Sequence, residues 1–455
     1  MSGGPLSRPE PRRQGVPQPR PAAESGPRLE SRPIWAEVYL SALAENFHAI
    51  RKFVNPPNEN RKTPRKILCI VKGNGYGHGG PQVAKALEKA GSDWFGVTCT
   101  EEGIAVRQAG VRKPILVLTS FWPGEESRLL EHNLTPVIHR CEQLEELDHA
   151  AALFHKRQAS FARTGRSGDG RGGRSLDRSR NGKTRESDHG APRRASFHLK
   201  MDTGMNRLGI APGDIERFAR HLAKCKHLEL SGVFTHFASS EVLTHTRTGE
   251  QTRQQEERFY AAIEQLRKLG IYPGIIHLAN SAAIATRPET WADMVRPGAI
   301  LYGYHPGYDP IERRPEIEAL LPLKPVMSLR TRILSIRDVS AGAGVGYNEK
   351  FIASRPSRIA VLAAGYGDGI HRSLGNKGTV LVRGVDAPIV GIVSMDVTMI
   401  DVTDVPGASI GDVATIYGTD GQNVRPANVI ARSIGTVTSD LLCAVSQRVP
   451  RFYLQ

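Results

Sequence analysis

The stretch Arg65-Lys66-Ile67-Leu68-Cys69-Ile70-Val71-Lys72-Gly73-Asn74-Gly75-Tyr76-Gly77-His78-Gly79-Gly80 decides how the chain is read. The apolar run Ile67–Val71 has the pattern of a strand buried on both faces, as in a parallel sheet. A lysine ending such a strand projects over the sheet's C-terminal edge, where α/β folds and barrels keep their active sites. The glycines that follow let backbone approach a ligand closely, and Tyr76 and His78 add polar tips. A lysine against apolar walls has a lowered pKa and can form a Schiff base. A lysine that merely caps a strand is the plainer reading of the same residues.

Outward from this segment, strand-like runs alternate with stretches of helical period. The runs are Ile67–Val71, Trp94–Val97, Pro114–Leu118, Leu134–Ile138, Phe197–Met201, Gly232–His236, Gly274–Leu278 and Asp293–Val295. Between them, Gly80–Ala90, Glu101–Ala109, Gly213–Lys224 and Gln251–Leu269 carry apolar residues at helical spacing. Such alternation implies a parallel sheet with right-handed crossovers. The number of runs matches a (β/α)8 barrel, which typically takes about 250 residues; a doubly wound open sheet is the alternative. From about Lys324 short alternating strands between Gly and Pro turns take over: Val326–Ile333, Ala360–Ala364, Gly378–Val382, Ile389–Val393, Val397–Val402 and Asp412–Ile416. The expected fold is therefore α/β plus all-β. A barrel over 33–320 precedes a C-terminal β-strand domain over 321–455.

The net charge of +15 suggests nucleic acid until its distribution is examined. Residues 1–32 and 156–196 contribute +3 and +8, which leaves an ordinary balance for the rest. Both stretches are rich in Gly, Ser, Pro and Arg and poor in aliphatic residues, so a disordered N-terminal tail and a disordered basic insert are expected. Specific nucleic-acid binding is not. The five cysteines are scattered and lack metal or disulfide spacing, which fits reduced thiols in a cytoplasm. No apolar run reaches the roughly 18 residues of a membrane span, and no signal sequence opens the chain.

Several barrel strands end in groups able to do chemistry. Arg207 follows the strand through Lys200, and His236 ends Gly232–His236. Asn280-Ser281 opens a helix, where amide N–H groups favour an anion. Arg296-Pro297-Gly298-Ala299 closes another strand with a fixed bend and bare backbone. Singly, these are a core histidine, a helix cap and surface arginines. Together they crowd one rim.

In these residues the chain resembles the alanine racemases. Val71–Gly79 is similar to that family's pyridoxal-phosphate lysine motif. Lys200–Gly209, Thr235–Ala238, His277–Ser281, Arg296–Gly298, Gly365–Gly369, Ser394–Asp396 and Arg448–Arg451 follow its pattern in the same order, from about Trp35 to Tyr453. The resemblance implies that Lys72 holds pyridoxal 5'-phosphate as an internal aldimine and moves the α-proton on one face. It implies that Tyr347, in Gly344-Val345-Gly346-Tyr347-Asn348, serves the other face from a partner subunit of a homodimer. Racemisation needs a base on each side of a planar carbanion, so two groups of tunable pKa suit it. By the same resemblance His236 links that tyrosine to Arg296 at the pyridine ring, and Tyr76, Ser281, Gly298 and Ala299 hold the phosphate. Arg207 grips the substrate carboxylate with Lys200 behind it, a lysine carbamylated in many members. From the partner subunit, Met395 borders the substrate, and Tyr366 and Asp396 narrow the entrance.

An arginine keeps its proton, so Arg296 leaves the ring nitrogen largely unprotonated, whereas decarboxylases of related fold place a carboxylate there. The activity implied is interconversion of L- and D-alanine, supplying D-alanine for peptidoglycan. Ser439-Asp440 stands where the family usually has Tyr-Glu, which opens a broader alanine and serine racemase as an alternative. A decarboxylase of related fold and a non-catalytic cofactor carrier are the remaining rivals.

Overall fold

The computed structural model describes residues 32–164, 194–309 and 313–455. Most of the tail and the interior of the insert lie outside these residues. At its edges the segment 156–196 overlaps regular structure: one helix runs Glu142–Thr164, and the next strand begins at Ala195.

The first strand, β1 (Ile34–Tyr39), leads through the helix Leu40–Phe53 into eight parallel strands. These are β2 (Lys66–Ile70), β3 (Trp94–Val97), β4 (Ile115–Val117), β5 (Thr135–Ile138), β6 (Ala195–Lys200), β7 (Leu228–Phe234), β8 (Ile275–His277) and β9 (Met294–Val295). They are hydrogen-bonded in the order β8-β7-β6-β5-β4-β3-β2-β9. Every apolar run expected as a barrel strand forms one. β9 is too short for a ladder with β8, and the seam closes through flanking bonds. Asp293 N donates to Ile276 O and Arg296 N to Ala279 O, each at 3.0 Å, while the Asp293 carboxylate accepts from Ile276 N at 3.0 Å. Ile67, Leu68 and Cys69 are fully buried, as a strand covered on both faces requires. Crossover helices such as Gly80–Ala90 turn Val83, Ala84 and Leu87 onto the barrel. The open-sheet alternative is excluded.

The second unit centres on the long strand β10 (Met327–Val339), which pairs antiparallel with Ser357–Leu362 and with Val413–Asp420. Two details correct the sequence reading. β1 precedes the barrel in sequence but lies in this second sheet, between β10 and the final strand Arg451–Leu454. Its Ile34, Trp35, Ala36 and Val38 are all buried there. The strand expected over Ile389–Val393 is instead Val385–Pro388, formed by a hairpin whose Arg383-Gly384 turn has φ of 53° and 78°. Two positive φ values in a two-residue turn match strand twist, so the chain reverses sooner than the apolar run suggested. Ile389–Val393 is core-forming but makes a single bridge, Ile389 to Ile400.

Among the described residues no helix is long and apolar enough to cross a membrane, no metal-ligating cluster occurs, and the cysteines are free thiols.

Candidate active site

Lys72 stands at the C-terminal end of β2, and the backbone after it is left-handed through Gly73, Asn74, Gly75, Tyr76 and Gly77, with φ of 61°, 52°, 65°, 52° and 81°. Ordinary residues pay about 1–2 kcal/mol each for that conformation, whereas glycine and asparagine adopt it readily. The alternation of glycines is therefore what the turn demands. Asn74 Oδ1 accepts from Gly80 N at 2.8 Å and ties the turn to the following helix. His78 ties it from inside: Nδ1 bonds the carbonyls of Tyr76 and Gly75 at 2.8 and 3.0 Å. Burial pushes His78 down to about 4, so it is a neutral donor buried beneath the turn and not a tip in the pocket.

A cavity of about 120 Å³ on the C-terminal rim brings together Lys72, Tyr76, Lys200, Arg207, His236, Ser281, Arg296 and Gly298. Ala299 follows directly, at the start of a 3-10 turn over Ala299–Tyr302. A second cavity of about 400 Å³ adjoins it, sharing Lys72, Tyr76 and Thr98 and bordered by Ser439, Asp440 and Cys443.

Arg296 is buried, and among the described residues no carboxylate lies against it. Nη1 donates to His277 O and His277 Nδ1 at 2.9 and 3.2 Å. Nη2 donates to Leu278 O, Thr235 O and His236 Nδ1 at 2.8, 2.9 and 3.3 Å. Nε is left as the N–H without a protein acceptor among the described residues. Burial pushes Arg296 down to about 9, and it still carries its proton at neutral pH. Both imidazoles that accept from it must be neutral with hydrogen on Nε2. Burial and then Arg296 hold both well below the usual histidine range. His277 passes its hydrogen to His198 Nδ1 at 3.0 Å.

Four cations thus converge on one cavity. Burial and then Arg207 lower Lys72, and the same causes bring Lys200 to about 8. The loop carrying Arg207 is shaped by Asp202. One carboxylate oxygen accepts from the N–H groups of Gly204, Met205 and Asn206, each at 3.0 Å, and the other from Arg207 N at 2.9 Å. On the opposite side Ser281 Oγ accepts from Gly298 N at 2.9 Å. A methyl group on Gly298 would sit 2.6 Å from Tyr76 Oη. Burial pushes Tyr76 up to about 12, which keeps its phenol a neutral donor. The arrangement is a cationic pocket with an amine at one wall and anion-binding donors at both ends.

Comparison with known proteins now bears on this pocket. A model of the alanine racemase N-terminal domain matches residues 38–306, and one of the C-terminal domain matches 326–453. The chain belongs to the alanine racemase family. An alanine racemase of Geobacter sp. (strain M21) is 36% identical over 428 residues, covering 94% of this chain and 100% of its own length. One from Sorangium cellulosum is 36% identical over 431 residues, covering 93% and 99%. Among solved structures, the alanine racemase of a D-cycloserine-producing Streptomyces lavendulae superposes with a TM-score of 0.76 at 28% identity, covering 94% and 98%. The biosynthetic alanine racemase of Pseudomonas aeruginosa gives 0.73 at 31% identity, covering 93% and 100%.

Alanine racemases depend on pyridoxal 5'-phosphate, and the residues present fit that group. For such a group the pocket offers the Lys72 amine, the free N–H of Arg296 Nε, and polar groups at Tyr76, Ser281 and the bare Gly298 where a phosphate would fit. The expected partner-facing residues behave differently. Tyr347 is 67% exposed on a short turn between Gly344–Val345 and Phe351–Ile352, and Met395 and Tyr366 are exposed too. None lines the cavity of its own chain. Asp396 accepts from Arg32 and Arg448 at 3.0 and 2.9 Å, and Arg448 also bonds buried Asp368 at 2.8 Å. Asp396 therefore braces the loop that presents Met395. Sequence reasoning passed over Thr98, Leu118, Thr119 and Phe234, which line the cavity as plain strand-end residues.

Proposed function

We propose that the protein interconverts L- and D-alanine as a homodimer whose two sites each draw on both chains, in a cytoplasm where its thiols stay reduced and its product feeds peptidoglycan. The observation that carries this reading is Lys72 facing, across one small cavity, a buried arginine held by carbonyls and imidazoles. That setting also disfavours a decarboxylase of related fold, because an arginine, which keeps its proton, stands where such an enzyme places a carboxylate.

When bound, pyridoxal phosphate supplies the electron sink that makes the substrate's α-hydrogen acidic. Arg207 holds the substrate carboxylate, with Lys200 behind it, and so fixes which faces the α-carbon presents. Lys72, lowered by burial, takes or returns a proton on one face. The partner subunit's Tyr347 does so on the other. His236, neutral with hydrogen on Nε2, donates toward that phenol oxygen while its Nδ1 stays on Arg296. Arg296 would donate to the ring nitrogen of that group without giving up its proton, which limits side reactions. Tyr76, Ser281 and the backbone of Gly298 and Ala299 anchor the phosphate.

A broader substrate range is the second reading, favoured by Ser439 on the adjoining cavity. The test of the main reading is Lys72→Ala with L-alanine as substrate. Formation of D-alanine should stop, and borohydride should no longer fix the cofactor to the chain. Fixation onto a different lysine overturns the assignment.

A further inference from the structure

Glu102 lies in the first turn of the helix Thr100–Gln108, beyond β3. A glutamate there is ordinarily a helix cap, and one of its oxygens acts so: Oε2 accepts from Thr98 N at 2.8 Å. The other oxygen does something a cap does not require. Oε1 reaches the neighbouring rim loop and accepts from Gly73 N at 2.7 Å and Asn74 N at 3.2 Å. These are the first two N–H groups after Lys72. Successive N–H groups at a tight turn can converge on one side and form a small anion-binding concavity. Here the protein's own carboxylate fills it.

We propose that Glu102 is a positioning residue for Lys72, fixing where the amine emerges by locking the left-handed turn behind it to the β3 loop. Three features support this. The turn is otherwise unfavourable for Tyr76, so something must hold it. The locked strand end carries Thr98, which lines both cavities with Lys72. Glu102 is also the acidic group that opposes the lowering of Lys72 by burial and Arg207, so its charge moderates the amine's basicity among four cations. The inference rests on the assignment of Lys72 above.

Two variants separate geometry from charge. Glu102→Gln keeps an oxygen for Gly73 and Asn74 but sets an amide N–H against Thr98 and removes the charge. Glu102→Ala removes both. In the full-length apoprotein, competitive acetylation of Lys72 against pH should show its titration lowered in both variants. In the cofactor-loaded enzyme, kcat should fall about 10- to 100-fold in Glu102→Ala, as for small misplacements of a reacting group, with KM for alanine within about threefold. Glu102→Gln should lose less. Unchanged Lys72 titration in both variants overturns the proposal, whether kcat holds or falls only in step with folded fraction on thermal melting. Lys72→Ala run alongside keeps the outcomes apart: if it stays active the function reading fails, and if it is inactive while Glu102 variants are normal only this inference fails.

Discussion

Gly298→Ala tests the phosphate cradle directly. Gly298 has a negative φ of −119°, so the substitution meets no left-handed penalty. Its new methyl would lie 2.6 Å from Tyr76 Oη and 3.3 Å from the ring carbon bearing it. Ordinary contact needs about 3.5 Å, so the phenol must retreat by about 0.9 Å. Retreat is blocked, because the Tyr76 ring stacks on Tyr302 at 4.8 Å and Tyr302 is held by a 3.0 Å bond to Ile70 O. The phenol must therefore turn aside and lose its place at the phosphate. A hydrogen bond to a charged group contributes about 1.5–3 kcal/mol, which predicts about 10- to 150-fold weaker cofactor affinity. Titrating the apoprotein by absorbance with pyridoxal phosphate and, separately, with pyridoxal isolates the effect. Pyridoxal has no phosphate and should bind both proteins within about twofold. Equal weakening of the two ligands, or none of either, refutes the cradle.

The shared site predicts complementation: Lys72→Ala and Tyr347→Phe homodimers should be nearly inactive, and random exchange between them should restore about a quarter of wild-type activity. Exchange verified by mass spectrometry without recovery would place both groups in one chain. Ser439→Tyr should fill part of the second cavity and shift the kcat/KM ratio toward alanine over serine, by about 1–3 kcal/mol; an unchanged ratio removes Ser439 from the pocket. Lys200, brought to about 8, should show a ¹³C carbamate signal under labelled CO2 that grows as pH rises through that value. The sign follows because only the neutral amine attacks CO2, and Lys200→Ala should abolish the signal.

Much of this was readable in sequence because strand ends are one-dimensional features. An apolar run that stops at Lys72, His236 or Arg296 places that side chain on the rim, and parallel strands put all rims on one side. The left-handed turn was legible in the glycines but not in its fastening. Nothing in Thr100-Glu101-Glu102 tells which of two acidic residues in a helix's first turn reaches another strand. The carbonyl cage around Arg296 was invisible as well, since it is made of backbone from Thr235, His277 and Leu278. The place of β1, read only as part of the 33–320 segment, was hidden for a related reason. Buried residues on a strand say that it is covered, not by which sheet, and its neighbours come from the far end of the chain.

That last arrangement affects how the molecule is made. The register joins Ala36 to both Leu329 and Arg451, so β1 is synthesised long before either neighbour exists. At about 5–20 residues per second, the gap between β1 and its final partner is on the order of tens of seconds. The barrel strands meet sequential neighbours and can pair within that interval, while β1 waits with Ile34, Trp35 and Val38 uncovered. Such non-local pairing is slow and leaves an apolar edge open to misassembly. The chain's first ordered strand is the last to be fully paired.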